Sequence, residues 1–395
     1  SFFYPSIGLS AILTSMFNAP DWLSFLKVRG SYTEVGNSYG RFMTTITYPY
    51  DEQTQNWTSA SSYPNTKLKP ERTKSWEIGL DARFLNDISF NLTYYRSNTY
   101  NQTFYADLSL SSGYSNIPIQ SGNIMNEGVE MSLGYDKHWG DFSFNTNYTL
   151  TWNRNEVKRL ADGAYNYATG QPIQMPELSP LTYGNTDARL ILRVGGSMGD
   201  VYGQRVLKRD LNGYILNEEG TGLSMENKET YLGSILPKMN MGWNLGFGYK
   251  GINLGMTFTG RFGGIVISET QSVLDAAGVS KVSADVRDAG GIQINQTKVD
   301  AQTYFQTIQG TSAYTYSATN VRLGELSLSY TLPKKCFNNK VGMTVGFVGK
   351  NLWMIYCKAP FDPESVATTG NYYQGIDNFM VPSARSMGFN VRFKF

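Results

Sequence analysis

Apolar and polar residues alternate with a period of two along most of this 395-residue chain. In KSWEIGLDARFL, residues 74–85, Trp76, Ile78, Leu80, Ala82 and Phe84 share one parity, while Ser75, Glu77, Gly79, Asp81 and Arg83 share the other. Successive side chains of a strand point to opposite faces, so the segment reads as a strand with one apolar face. The chain then turns at Asn86 and Asp87 and returns with Ile88, Phe90, Leu92 and Tyr94 alternating with Ser89, Asn91, Thr93 and Tyr95. The same hairpin pattern recurs in NEGVEMSLGYDKHWGDFSFNTNYTLTW, with a turn at 137–140. It recurs in MNMGWNLGFGYKGINLGMTFTGRF, turning at Lys250 and Gly251, and in RLGELSLSYTLPKKCFNNKVGMTVGFVGKNLWMIY, turning near Asn338 and Asn339. With further arms at 1–17, 23–36 and 384–395, the pattern predicts about eleven strands.

The short turns all fall on one side of this array. The opposite connections run over roughly 37–70, 105–121, 157–237, 265–319 and 358–383. Structureless loops of that length argue against a compact soluble domain. Short turns at one end and long loops at the other are the arrangement of outer-membrane barrels, which predicts extracellular long loops and a periplasmic C-terminus. Trp76, Trp152, Trp243 and Trp353 share the apolar parity and lie toward the long-loop end, whereas Trp22 and Trp139 fall in short turns. Two aromatic girdles at two water interfaces give that distribution. The opposite parity carries Asn244, Gly246, Gly248, Asn253, Gly255, Thr257, Thr259, Ser327, Ser329 and Thr331, side chains too small and polar to fill a dry core. An odd strand count with short turns on one side does not close an antiparallel barrel, so further strands are expected on the N-terminal side.

Composition agrees with extended structure. Charged residues make up 17% of the chain, below the roughly 25% usual for soluble domains, and Tyr, Phe, Gly, Asn, Ser and Thr take their place. A net charge of +2 provides no bulk attraction to nucleic acid. No apolar run approaches the ~18 residues a membrane helix needs. The opening SFFYPSIGLS has no initiator Met, basic n-region or cleavage site and already reads as strand, so a signal sequence and more of the protein are expected upstream. Cys336 and Cys357 fall at opposite ends of one hairpin arm, too far apart for a disulfide, and with a single His138 a zinc-type metal site is not expected.

Candidate motifs are few. GFGYKG, residues 246–251, fits G-x-G-x-x-G but runs from strand into strand, where a dinucleotide site needs a helix. DLNGYILNEEG starts like a calcium loop and lacks its remaining acidic ligands, so a tight Asn-Gly turn is the better reading. Five N-x-Ser/Thr triplets begin at Asn56, Asn91, Asn101, Asn147 and Asn295. Two of them fall mid-strand, as accidents of an Asn- and Thr-rich chain would. No nucleophile has a base-and-orienter arrangement, so neither an enzyme nor a cofactor is expected. The loop segments NWTSASSYPN and GNYYQGIDNF offer Trp57, Tyr63, Tyr372 and Tyr373 as candidate substrate-binding aromatics, with packing among the loops themselves as the alternative.

Several segments, in order, resemble the SusC/RagA-type TonB-dependent transporters: LKVRGSYTEVGNS, LKPERTKSWEIGLDARFLNDISFNLTYY, NIPIQSGNIMNEGVEMSLGY, VRLGELSLSYTLPK, FDPES and the closing YQGIDNFMVPSARSMGFNVRFKF. The resemblance implies an all-β antiparallel transmembrane barrel, with residues 1–395 as the C-terminal half of a plugged barrel of about 22 strands. It implies active import of oligosaccharides or peptides across the bacterial outer membrane. The implied partners are a SusD-like surface lipoprotein acting as lid, the TonB complex reached through an N-terminal region, the lipid bilayer and the barrel assembly machinery. Phe395 is then the terminal aromatic read during assembly, on a last strand that closes the barrel. The alternatives are a passive porin, a secreted β-rich adhesin or glycan-binding module and, last, an outer-membrane hydrolase.

Overall fold

The computed structural model describes residues 3–120, 122–160, 177–218, 222–333, 335, 341–367 and 374–395. Eleven strands form one sheet, each antiparallel to the next and all in chain order. They are β1 (Ser6–Ile12), β2 (Leu23–Asn37), β3 (Glu71–Phe84), β4 (Ile88–Tyr100), β5 (Asn123–Trp139), β6 (Phe142–Arg159), β7 (Met239–Tyr249), β8 (Ile252–Phe262), β9 (Asn320–Leu332), β10 (Gly342–Cys357) and β11 (Ser386–Lys394). The all-β barrel fold and its strand count are those expected from the alternation.

Register sorts the side chains into continuous rows. One apolar row runs Phe90, Leu133, Tyr148, Trp243, Phe258 and Leu323 across β4–β9. Rings meet across strands: Phe144 and Phe247 centroids lie 5.0 Å apart, and Phe347 and Phe389 5.4 Å. Cross-strand aromatic pairs of this kind stabilise a sheet locally. Among the described residues no other layer covers this face; Ile78 is 57% exposed and Trp353 60%. Phe142 and Trp152 bound its height on β6, and the ten steps between them at about 3.3 Å, tilted by about 40°, rise roughly 25 Å, the height of a lipid-facing band.

The short connections are tight. Between β7 and β8, Lys250 and Gly251 both have positive φ (46° and 89°), the pattern of a two-residue turn whose twist matches the flanking strands. A side chain on Gly251 would come within 2.7 Å of the Thr331 carbonyl. The β5–β6 turn is shorter than expected. β5 runs on to Trp139 and only Gly140 and Asp141 turn, so His138 is a strand residue opposite Ser143 and not a turn residue. The first arm is interrupted too, since the short helix α1 (Leu13–Met16) follows β1. The turn expected near Asn338 and Asn339, and Cys336, lie outside the described residues.

The long connections span 38–70, 101–122, 160–238, 263–319 and 358–385, near the expected bounds, but they are not structureless. The third carries a four-stranded sheet (Glu177–Thr182, Arg189–Arg193, Asp200–Leu207, Met225–Ser234). The fourth carries α2 (Glu269–Ala276), α3 (Lys281–Asp288) and α4 (Ala301–Ile308), N-capped by Ser268, Ser280 and Asp300. Phe104, Ile119, Leu178, Tyr183, Leu190, Val201, Ile235, Ile267 and Ile376 pack into one buried cluster, so four connections share a core. Among the described residues no helix is long and apolar enough to cross a membrane.

Candidate functional site

The face opposite the apolar rows is mostly polar. On β6 it carries Asn145, Asn147, Thr149, Thr151, Asn153 and Asn155, and it continues through Asn244, Gly246, Gly255, Thr257 and Ser327. These groups bond to one another across strands. Ser132 Oγ donates to Asn147 Oδ1 at 2.9 Å and Thr257 Oγ1 to Asn244 Oδ1 at 2.8 Å. On β2–β4 the same face is charged and self-paired. The Arg29 guanidinium lies 3.9 Å from Glu77 and 3.8 Å from Asp81 and donates to Thr93 Oγ1 at 2.6 Å, while Lys27 Nζ is also 3.8 Å from Asp81.

The long connections fold over the upper end of this polar face. Asn155 Oδ1 accepts the Met198 N–H at 2.7 Å, the Val157 N–H donates to the Gly196 carbonyl at 2.8 Å, and Arg261 Nη2 donates to the Ile235 carbonyl at 2.9 Å. Ile124 of β5 joins the shared loop core. A largely buried ion pair forms at Arg322 of β9, whose guanidinium grips Asp362 through both carboxylate oxygens at 2.8 and 3.0 Å, with Glu364 at 3.2 Å and Asn320 Oδ1 at 3.2 Å. The Arg322 and Asp362 side chains are 11% and 10% exposed. Burial raises the Asp362 carboxyl, but hydrogen bonds from Arg322, Ser383 and the Glu364 N–H, with the Arg322 charge, together outweigh it and hold the group below the usual aspartate range. This tie pins 358–367 to the sheet, and Ile376–Asp377 is pinned beside Ile265–Ser268 by parallel pairing and by Ser268 Oγ donating to Asp377 Oδ2 at 2.6 Å.

Within the four-stranded sheet, Arg193 is clamped between Glu177 (2.6 Å) and Glu229 (2.7 Å) and sits 4.5 Å over the Tyr202 ring. Tyr231 OH donates to Asp200 Oδ1 at 3.1 Å; burial and then the Asp200 charge push the phenol up to about 12. Burial raises the carboxyls of both Asp200 and Asp187. A cleft of about 540 Å³ between α2, α3 and α4 is lined by Asp275, Arg287, Asp300, Gln302, Phe305 and Gln306, among others. Among the described residues no three His, Cys, Asp or Glu side chains are grouped to hold a metal ion.

The sequence-predicted binding aromatics lie apart in partner and exposure. Trp57, at the end of the hairpin formed by Tyr50–Asp51 and Asn56–Trp57, is 71% exposed, with its ring 5.1 Å from that of Tyr50. Tyr63 is half-buried, edge-on to Tyr114 at 5.1 Å, and its N–H donates to the Asn116 carbonyl, so it also ties 38–70 to 101–122. Tyr372 and Tyr373 lie outside the described residues. Phe395 follows the last paired residue, Lys394, and is 96% exposed. GFGYKG is a strand, turn and strand, as its context predicted. Asp210 Oδ1 accepts the N–H groups of Asn212 and Tyr214, which makes DLNG a self-bonded turn. Sequence reasoning assigned no role to Arg322 or Asp362, although FDPES contains the latter, and it overlooked the capping pattern Ser268-x-x-Gln271 that announces α2.

Residues 1–352 match the family model described as "TonB dependent receptor-like, beta-barrel". The chain belongs to the TonB-dependent receptor β-barrel family. Among its relatives, TonB-dependent receptor P3 of Formosa agariphila is 25% identical over 430 residues, covering 99% of this chain and 42% of that protein. TonB-dependent receptor SusC of Bacteroides thetaiotaomicron is 30% identical over 132 residues, or 33% of this chain and 12% of that protein. The solved RagAB peptide transporter superposes with a TM-score of 0.72 at 20% identity, covering 99% of this chain and 43% of that one, a likeness of fold. This TonB-dependent receptor barrel therefore spans less than half the length of those relatives, and the resemblance carried by its motifs is borne out. The family is one of receptors and not of enzymes.

Proposed function

We propose that these eleven strands are the C-terminal half of a plugged barrel of about 22 strands that imports oligosaccharides or peptides across the bacterial outer membrane, driven by the TonB complex. The observation that carries this reading is the division of one sheet into a bare apolar face and a polar face whose upper end is roofed by packed loops. The apolar band fits a bilayer in height, and the polar face fits a wet interior. In this reading the long loops face the cell exterior, the C-terminus faces the periplasm, and a SusD-like surface lipoprotein closes over the loop layer. Trp57 is the best-presented aromatic for substrate; Tyr63, Tyr372 and Tyr373 complete the proposed set, and Phe395 is the proposed assembly signal. A packed, anchored roof disfavours an open passive pore, and an uncovered apolar face disfavours a secreted soluble module.

The test is uptake of labelled oligosaccharides and peptides by cells carrying the full-length protein, together with planar-bilayer conductance of the purified protein. Import that stops when the TonB complex is deleted, with no steady conductance, is the expected result. Import that continues without TonB, through a steadily open pore, would replace this reading with a porin.

A further inference from the structure

Above the upper tryptophans, the outward face of β2–β6 changes character. The cross-strand row Tyr32, Trp76, Arg96, Glu127, Arg154 runs over β2–β6, so Arg96 and Arg154 share the level and face of Trp76 and stand at its headgroup side. One step higher on the same parity, Lys74 and Glu34 are paired at 3.2 Å, Arg72 stands 4.0 Å from Glu34, and Glu156 is paired with Arg154 at 2.8 Å and with Lys158 at 2.6 Å. The cations stand on top of their partners. Arg154, Arg72, Lys74 and Lys158 are 57%, 51%, 44% and 35% exposed, whereas Glu34, Glu127 and Glu156 are 17%, 16% and 13% exposed. Five cations against three sunken carboxylates make the presented surface positive. In the row of Trp152, just below the cations, β7 and β8 carry Met239 and Phe262, and two positions lower β9 and β10 carry Val321 and Tyr356, with no charge among the four.

We infer that this band is a binding site for the phosphate groups of an outer-leaflet lipid, seated on the barrel wall over β3–β6. The inference rests on the outer-membrane reading proposed above. Continuity with the apolar rows places the cations where acyl chains end and headgroups begin. Guanidinium groups suit phosphate by bidentate hydrogen bonding, and lysines add point charge. Four adjacent strands at about 4.8 Å give a site roughly 15–20 Å wide, the width of one bulky phosphorylated headgroup or two small ones. Exposed ion pairs are individually weak, so the sheet does not need this many cations for its own stability.

The test uses full-length protein reconstituted into nanodiscs containing phosphorylated lipid A, or its dephosphorylated form, as a minor component, with retained lipid counted by mass spectrometry. The wild type is expected to retain the phosphorylated form selectively. The variant Arg72→Gln/Lys74→Gln/Arg154→Gln/Lys158→Gln should lose about tenfold or more of that retention. A Glu127→Gln variant, which unmasks Arg154, should retain more lipid than wild type, and this arm holds even if the fourfold variant assembles poorly. Equal retention by all three proteins, equal retention of both lipid forms, or release by millimolar inorganic phosphate alone would overturn the inference while leaving the barrel in place. Failure of the wild type to enter the nanodisc would overturn the outer-membrane reading itself.

Discussion

Replacing Arg322 by Met removes the guanidinium that grips Asp362 and leaves that carboxylate without its ion-pair partner. Both Arg322 and Asp362 side chains are about nine-tenths buried, so solvent does little to rescue the orphaned charge. Breaking one partner of such a buried pair costs about 3–5 kcal/mol, whereas replacing both partners by apolar groups is often close to neutral. The segment most affected is 358–367, whose Glu364 N–H donates to Asp362 Oδ1 at 3.0 Å and whose Ala367 N–H donates to the Ile376 carbonyl at 3.0 Å. At about 1.4 kcal/mol per factor of ten, local opening should rise by roughly two to four orders of magnitude. Hydrogen exchange on full-length protein in detergent reads this directly. Protection at Glu364 and Ala367 should fall in Arg322→Met and stay unchanged in β5–β8; in Arg322→Met/Asp362→Leu it should recover largely at Ala367, whose acceptor is the Ile376 carbonyl, while Glu364 has lost its acceptor. Unchanged protection in the single variant, or a double variant whose losses simply add, would refute the account of this tie.

The Asp362 carboxyl is held low, so its contribution is present above the ordinary aspartate value of about 4 and is lost as pH falls through its folded value. Asp187 and Asp200 are raised by burial, so theirs is present below that ordinary value and lost as pH rises through their folded values. Acidification should therefore loosen 358–367 while tightening the Asp200–Leu207 strand, and exchange profiles moving together in both segments would contradict the assignment. Leu245→Arg, on the bare face near mid-height, should cost about 2–4 kcal/mol in detergent or lipid unfolding, while Asn244→Arg on the polar face should cost far less. Truncating Phe395, which contributes no paired backbone, should cut the yield of membrane-inserted protein several-fold without changing refolding in detergent; unchanged insertion would remove its proposed role. Trp57→Ala should weaken substrate binding by about tenfold with the loop core unaltered, since its ring is mostly exposed, whereas Tyr63→Ala should also loosen 101–122.

The barrel wall was legible because period two persists over strands of up to 18 residues and because turns such as Lys250-Gly251 leave only one register. The mouth was not. Its strands are two to ten residues long, and its pairings join distant residues, as Ile267 does with Ile376. Tyr183 and Leu190 are buried by neighbours from other connections and not by any local period. Arg322 illustrates the same limit: strict alternation from Ser327, Ser329 and Thr331 puts it on the apolar face, the register shift between Leu323 and Glu325 turns it to the polar one, and only the fold brings Asp362, forty positions along the chain, to its guanidinium. The binding aromatics were chosen by type alone, and Trp57 and Tyr63 differ in exposure for reasons of loop packing that no spacing rule carries.

The central claim is that one face of this sheet meets lipid and the other meets water. Adjacent residues test it most directly, with single cysteines at Leu150 and Thr149 of β6 carrying an environment-sensitive label in lipid-embedded full-length protein. The account predicts that the label at 150 is quenched by brominated lipid and shielded from an aqueous quencher, and that the label at 149 behaves in the opposite way. Equal access of the aqueous quencher to both positions would contradict it.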